Sequence, residues 1–359
     1  MARGNSQAPA AKSKPKAKAH KSEKNKQSAC SASRQESDIP QELQQQCLNV
    51  FQNALKPSEQ DATILQEVKG HLYNRDFAIA FGKEEYLRVY ASRWSPSRAL
   101  AYVQILVDVQ NQLLKIGSKT EGGAKEHALN TVCIGGGAGA EVMALAGWIM
   151  VDTTVLNHFH HIDAIFLDVA AWDSIVQDLH QAIVVPPELS KYASAAAKEA
   201  NAAMLQPEVY KANFGQIDAL SMSSEQTREV FANAELVTLL FTLNELYSNS
   251  VPKTQQLLSK LTSTLRAGAH LLVVDSPGSY STVSINGAEK KYPMQWLLDY
   301  TLIGSGKQDV IHEHKWEKLV SDDSRWFRMP EGLKYPIELE NMRYQIHLYR
   351  RLPEAENKA

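Results

Sequence analysis

Cysteine is scarce. The 359 residues include three, Cys30, Cys47 and Cys133, with no C-x-x-C pair among them. Three thiols cannot all pair within one chain, so a disulfide framework is not expected and a reducing, intracellular setting fits. Long apolar runs are missing too. The longest, around residues 142–151 and 236–243, fall well short of the ~20 residues that cross a bilayer. The amino end lacks the apolar stretch of a secretory signal. It is also too rich in lysine and too little amphipathic for a mitochondrial presequence. No G-x-S-x-G elbow and no Walker loop occurs. Neither His158, His160 and His161 nor His312 and His314 are completed by Cys or carboxylate to a zinc spacing, so no metal is expected. Net charge is nearly absent as well, at −2, but that value hides a split. Residues 1–37 carry +7 and residues 38–359 carry −9. A near-neutral total therefore excludes no nucleic-acid partner, because the asymmetry is the relevant quantity.

What remains has the composition of a globular protein, 44% hydrophobic and 22% charged. Residues 1–37, rich in Ala, Lys, Ser and Gln, cannot bury enough apolar surface to offset chain entropy and are expected to form a disordered basic tail. The lysines from Lys12 to Lys26 read as a nuclear or nucleolar address or an RNA-contacting arm, with a merely solubilising tail as the alternative. Residues 38–116 read as a helical N-terminal region. Leu43, Cys47, Val50, Phe51 and Leu55 recur at helical spacing, as do Ile64, Leu65, Val68, Leu72 and Tyr73, with Pro57-Ser58 between the two sets. Two more helices are expected over residues 83–92 and 97–114, the second started by Ser95-Pro96-Ser97. Arg75, Arg88, Arg93 and Arg98 lie among aromatics here. They suit either RNA contact, by phosphate binding and stacking, or a helical cap laced with ion pairs. A polar linker spans 117–129. Beyond it, short β-rich runs at 131–134, 164–169, 237–241 and 270–275 alternate with helical stretches. That alternation predicts an α/β domain with a parallel sheet over 130–351, followed by a C-terminal tail at 352–359.

The strongest local signal is TVCIGGGAGAEVMALA. An apolar strand runs into Gly135, Gly136, Gly137, Ala138 and Gly139 and then into a helical stretch. Glycines allow a tight turn and close backbone approach, and the helix start offers free N–H groups. Gly135, Gly137 and Gly139 satisfy the G-x-G-x-G loop that cradles S-adenosylmethionine (SAM) in class I methyltransferases. Gly135, Gly137 and Ala140 equally satisfy the dinucleotide fingerprint. The second strand ends at Asp168, a carboxylate suited to ribose hydroxyls, with a helix N-cap as its plainer role. The surplus length between Gly135 and Asp168, residues 147–163, reads as an extended helix end and loop. After the third strand, Asp218 has the type and order of the residue that holds the adenine amino group in SAM enzymes, or is an ordinary turn Asp. The most apolar run, 236–243, leads into Thr242, Asn244, Glu245 and Tyr247. Polar groups at the carboxyl end of a central strand lie where α/β enzymes bind ligands. A further strand at 270–275 leads into Ser276-Pro277-Gly278-Ser279-Tyr280, a loop over the substrate or a plain turn.

Taken in order, RDFAIAFG, RWSPSRALAYV, CIGGGAGAE, FLDVAAW, NFGQIDAL, FTLNELYS, VVDSPGSYS, DSRWFR and LENMRYQIHLYRR resemble the fungal SAM-dependent methyltransferase family that includes 25S ribosomal RNA uridine-N3 methyltransferases. The resemblance spans residues 70–351. It implies an α/β, class I (Rossmann-like) SAM methyltransferase sheet closed by a final antiparallel strand, with SAM as cofactor and large-subunit rRNA as partner. Under it, Gly135, Gly136, Gly137, Gly139, Glu141, Asp168, Asp218 and Thr242 are expected to bind the cofactor. Glu245, Asn244 and Tyr247 are expected to act on the base, with Ser276 and Tyr280 lining its pocket. Cys133 stands where many class I enzymes carry an acidic residue, which shifts cofactor placement to backbone amides and Glu141. KWEKLVSDDSRWFR is expected to supply one strand and a surface loop, with Arg325, Trp326, Phe327 and Arg328 to stack on or clamp RNA; core packing is the alternative for Trp326, and the RNA reading suits the arginines better. The resemblance also implies a role in ribosome biogenesis in the nucleus or nucleolus, with the cytoplasm left open. Two other readings stand beside it: an NAD(P)-binding Rossmann oxidoreductase, and an inactive methyltransferase fold serving ribosome assembly.

Overall fold

The computed structural model describes residues 38–116, 127–278, 280–285, 288–304 and 315–354. The expectations for the 1–37 tail, most of the 117–129 linker, His312 and His314, and the end of the 352–359 tail lie outside these residues.

Four helices open the described chain: α1 (Gln41–Leu55), α2 (Asp61–Tyr73), α3 (Phe77–Ala80) and α4 (Glu84–Leu113). In α1 the residues Leu43, Cys47, Leu48, Phe51 and Leu55 form one buried stripe, as their helical spacing requires. The two helices expected over 83–92 and 97–114 are in fact one, because α4 runs through Pro96. Proline has no N–H with which to bond the Ser92 carbonyl. The Tyr335 hydroxyl takes that carbonyl instead, at 3.0 Å. The serines flanking the proline also bond outward. Ser95 Oγ donates to the Ala138 carbonyl at 2.6 Å, and Ser97 Oγ accepts from the Glu340 N–H at 3.0 Å. A distant hydroxyl thus satisfies the carbonyl that the proline leaves without its helical partner. Tyr335→Phe is expected to lower stability by about 1–2 kcal/mol, because a buried carbonyl loses its partner. The check is the midpoint of urea unfolding; an unchanged midpoint would show that the bond is not needed.

Strands and helices then alternate. They are β1 (Ala128–Ile134), α5 (Ala140–Val151), α6 (Thr153–His158), β2 (His161–Asp168), α7 (Asp173–Val184), α8 (Ala195–Glu199) and β3 (Tyr210–Gln216). Next come α9 (Ser224–Phe231), β4 (Leu236–Leu240), α10 (Leu243–Asn249), α11 (Val251–Thr264) and β5 (His270–Asp275). The last are β6 (Tyr280–Ile285), β7 (Ala288–Pro293), α12 (Met294–Leu302), β8 (Trp316–Phe327) and β9 (Met342–Arg351). Seven strands form one sheet in the order β3-β2-β1-β4-β5-β9-β8, and β6 pairs with β7 alone. The first five are parallel, β9 is antiparallel to β5, and β8 is antiparallel to β9. The chain begins in the middle, winds outward to β3 and crosses back to β4. The order therefore reverses between β1 and β4, which opens a crevice at the carboxyl ends of the central strands.

Two hydrophobic cores cover the sheet. One holds residues of α1, α4, α5 and α7, the other residues of α9, α11 and α12. Alternation along β5 sends Leu272 and Val274 to the first, and Leu271 and Val273 to the second. Among the described residues, no helix is long and apolar enough to cross a membrane.

Three segments differ from expectation. Residues 147–163, read as a helix end and loop, contain the separate helix α6, capped by Asp152, whose carboxylate accepts from the Thr154 N–H at 2.9 Å. The DSRWFR stretch is strand rather than surface loop, because β8 continues to Phe327 against β9. Register shifts between Lys318 and Val320 and between Asp322 and Arg325 break its in–out alternation, so the strand is concealed in the sequence pattern. Tyr280 begins β6 rather than ending a loop.

Candidate active site

The crevice is floored by the loop between β1 and α5. Gly135 and Gly139 hold φ values of +79° and +87°, a region that favours glycine. The Gly135 N–H donates to the Leu167 carbonyl at 2.7 Å, which ties the loop to the end of β2. Side chains crowd the loop from both sides. A Cβ on Gly135 would lie 2.4 Å from Thr242 Oγ1, and one on Gly137 would lie 2.2 Å from Trp172 Cδ1. The loop can therefore pass only as bare backbone, and the first turn of α5 directs its N–H groups into the crevice. From above, Ser95 of α4 holds the Ala138 carbonyl.

Glu141 lies beneath this loop. It is buried, and its Oε1 accepts from Thr238 Oγ1 on β4. Burial pushes its carboxyl up to about 7, against the hydrogen bonds from Thr238 and Cys133, and Asp168 adds repulsion. The missing acidic residue at position 133 is thus matched by a carboxyl reaching the same place from the helix.

Asp168 and Asp218 stand at the ends of adjacent strands. The Ile217 N–H donates to the Asp168 carbonyl at 2.8 Å, so the two loops run side by side. Asp168 does not cap α7, whose N-cap is Trp172. Its Oδ1 accepts from the Ala170 N–H at 3.1 Å. Burial raises its pKa, and hydrogen bonds from the backbone of Ala170 and Gly137 oppose the rise. Asp218 is exposed and accepts from the Leu220 N–H at 2.9 Å and the Ser221 hydroxyl at 2.6 Å, shaping the turn after β3.

The other wall is the end of β4. Phe241 has a φ of +58°, a strained conformation for a residue with a ring, and its N–H donates to the Val274 carbonyl at 2.7 Å. Thr242 packs against Gly135, as above. The next residues are helical, which divides the expected group. Leu243 and Tyr247 form the buried stripe of α10, while Asn244 is half-buried and Glu245 exposed. The Asn244 N–H donates to Asp275 Oδ2 at 2.9 Å. Glu245 pairs with Arg75 at 3.1 Å. Tyr247 belongs to the core on the α11–α12 side and does not join the other two. Gln345 Nε2 donates to the Ser276 carbonyl at 2.7 Å, and Tyr280 is exposed.

Sequence reasoning missed Phe241 and Asp275. Asp275 ends β5, buried; burial pushes its carboxyl up to about 6, against hydrogen bonds from Asn244 and Ser276. Its position after four apolar residues, Leu271 to Val274, is the signal that could have found it. Ion pairs account for most of the N-terminal arginines: Arg75 with Glu245, Arg88 with Asp61, and Arg93 with Glu340. Arg325 pairs with Asp108 and Asp322, whereas Arg328 lies over the Trp326 ring at 4.1 Å. His158 Nε2 lies 2.8 Å from the Ile116 carbonyl, and His161 pairs with Asp163 at 3.5 Å.

The arrangement offers backbone N–H groups, two carboxylates at adjacent strand ends and a polar rim on β4. That donor set suits a ligand with a ribose, a purine and a small charged tail. Residues 48–350 match the family model Methyltransf_34, of SAM-dependent methyltransferases. The chain is 33% identical over 330 residues to the 25S rRNA (uridine(2843)-N(3))-methyltransferase of Saccharomyces cerevisiae, covering 86% of this chain and 85% of that protein. Among solved structures it is similar to a SAM-dependent methyltransferase from Methanosarcina mazei, at 12% identity and a TM-score of 0.33, over 64% of this chain and 95% of that one. It is also similar to an O-methyltransferase family protein from Burkholderia thailandensis, at 11% identity and a TM-score of 0.36, over 77% and 63%. The family match and the antiparallel β9 beside β5 favour the methyltransferase reading over the oxidoreductase, whose strands run 3-2-1-4-5-6. The chain belongs to the family of SAM-dependent methyltransferases.

Proposed function

We propose that this enzyme methylates N3 of a uridine in large-subunit rRNA, during ribosome biogenesis in the nucleus or nucleolus. The observation that carries the proposal is the likeness to the yeast 25S rRNA enzyme over 86% of the chain. Bound SAM supplies a methyl group already activated on a sulfonium, so the protein's task is orientation and exclusion of water. Gly135, Gly136, Gly137 and Gly139 would hold it through backbone contact, Asp168 through the ribose, Asp218 through the adenine, and Thr242 at the loop's edge. Glu141 supports the loop from below. N3 lies on the Watson–Crick edge, so the uridine must be unpaired or flipped out to reach the crevice. Its imide proton must leave before or during attack. Glu245, with Asn244 beside it, is the candidate to take it. Tyr247 anchors α10 in the core.

Two measurements test this. Mapping of rRNA nucleosides from a strain lacking the gene is expected to show loss of one 3-methyluridine, restored by the intact gene. Purified protein that binds SAM yet methylates no precursor rRNA would instead support the assembly-factor reading. For the base, Glu245→Gln is expected to slow single-turnover methylation by about 100-fold, with SAM affinity unchanged. A full rate would remove Glu245 from that role.

A further inference from the structure

A cation stands beside Phe241, at the end of β4. Arg98 lies on α4, one turn beyond the Ser95 that holds the glycine loop. Its side chain is half-buried. Arg75, Arg88, Arg93 and Arg325 each hold a carboxylate, but Arg98 holds none among the described residues. Its hydrogen bond is to the Tyr90 hydroxyl, at 2.9 Å. The guanidinium also lies 5.9 Å from the centroid of the Tyr90 ring and 5.7 Å from that of Phe241, the strained residue at the end of β4. A guanidinium carries five N–H donors in a rigid fork. Among the described residues none of its nitrogens is buried without a partner, so the donors that Tyr90 does not use are accessible.

The charged and titratable groups around it cannot neutralise it. Tyr90 and Tyr102 face it from α4, Glu340 from the segment before β9, and Asp275 from the end of β5. Glu340 is already paired with Arg93. The oxygens of Asp275 accept the N–H groups of Asn244 and Ser276, at 2.9 and 2.7 Å. Arg98 and Glu245 both act on Asp275, with opposite sign. A fixed cation and a carboxylate therefore share the rim formed by the ends of β4 and β5.

We propose that Arg98 donates to a carbonyl oxygen flanking N3 of the bound uracil and stabilises the negative charge that develops there as the imide proton leaves. The proposal rests on the uridine-N3 reading above. Loss of the proton to Glu245 leaves charge spread over N3 and its two flanking carbonyl oxygens. Hydrogen bonding to the charged form favours ionisation. The N3 electron pair then bonds the methyl carbon while the C–S pair returns to sulfur, so the sulfonium becomes a neutral thioether. The Tyr90 and Phe241 rings lie beside the fork, and aromatic side chains of this kind take part in recognising unstacked bases.

The test compares Arg98→Gln with the intact enzyme. Single-turnover methylation of rRNA from the deletion strain is followed between about pH 6 and 9, and affinity for S-adenosylhomocysteine is measured by calorimetry. The variant is expected to keep its affinity and to lose about 100-fold in rate near neutrality. The deficit should shrink toward alkaline pH, where uracil ionises without help. Arg98→Lys, which keeps the charge and loses the fork, should recover part of the rate. If the glutamine variant does not fold, the lysine variant is read by the same criteria. A parallel fall in S-adenosylhomocysteine affinity would overturn the proposal and make Arg98 a ligand of the cofactor's carboxylate. A deficit equal at every pH, or no deficit, would overturn it too. An intact enzyme that methylates no uridine would refute the functional reading first, and this proposal with it.

Discussion

Replacing Gly135 by valine is expected to abolish SAM binding in a protein that still folds. Two effects add. The φ of +79° is costly for any residue with a Cβ, by about 1–2 kcal/mol, and more for a β-branched one. The new Cβ would also lie 2.4 Å from Thr242 Oγ1 and 2.6 Å from Thr242 Cγ2. Neither atom can retreat easily, because Thr242 opens α10, whose next residue Leu243 is wholly buried. The loop must move instead, and with it the N–H groups that the cofactor requires. An affinity loss of about 100-fold or more, measured by calorimetry with S-adenosylhomocysteine, corresponds to about 2.7 kcal/mol. Gly268→Ala is the control. Gly268 has a φ of +91° but open space around it, at the other end of β5. It should cost about 1 kcal/mol of stability from backbone strain and nothing in affinity. Normal binding by the Gly135 variant would show that the loop is not the cofactor's seat.

The second large effect concerns pH. Glu141 has its carboxyl raised from 4.5 to about 7 by burial, and Asp275 from 3.8 to about 6. A raised acid holds its proton more tightly folded than unfolded. The folded state therefore binds more protons within these windows, and stability falls as pH rises through them. For Glu141 the contribution is complete below 4.5 and gone above about 7. At about 1.4 kcal/mol per unit, the total is about 3 kcal/mol. Glu141→Gln keeps the shape and an acceptor for Thr238 but cannot ionise. It is expected to be more stable than the intact protein by about 1–3 kcal/mol above neutrality, with the difference vanishing in acid. Urea midpoints measured across the pH range decide this. Parallel curves for the two proteins would mean that the buried carboxyl does not titrate there.

The parts of the site that are legible in the residues are those made by neighbours in the chain. The glycine loop is one: an apolar strand, Gly135 to Gly139 and an apolar helix follow without interruption, and the left-handed φ values fall on glycines. Asp168 and the polar rim after β4 are others, because each follows an apolar strand. Thr242, Asn244, Glu245 and Tyr247 within six positions suggest one cluster, yet a helix turns Tyr247 into the core with Leu243 and leaves Asn244 and Glu245 at the rim.

Chain order alone carried the strand–helix alternation, the loop and the order of the motifs, because side-chain periodicity, backbone sterics and helix starts act over a few residues. Packing supplied everything that joins distant residues. Pro96 stays inside a helix because Tyr335, 243 positions from Ser92, fills the missing bond. Glu141 brings a carboxyl group beside Cys133 and is held there by Thr238, 97 positions away. Among the described residues Arg88 and Arg93 hold carboxylates while Arg98 bonds a tyrosine hydroxyl, and no local pattern distinguishes them. No disulfide takes part in these long-range joints: among the described residues Cys47 and Cys133 are buried free thiols, and hydroxyl hydrogen bonds such as Tyr335 to Ser92 and Thr238 to Glu141 join distant segments because only the fold brings them together.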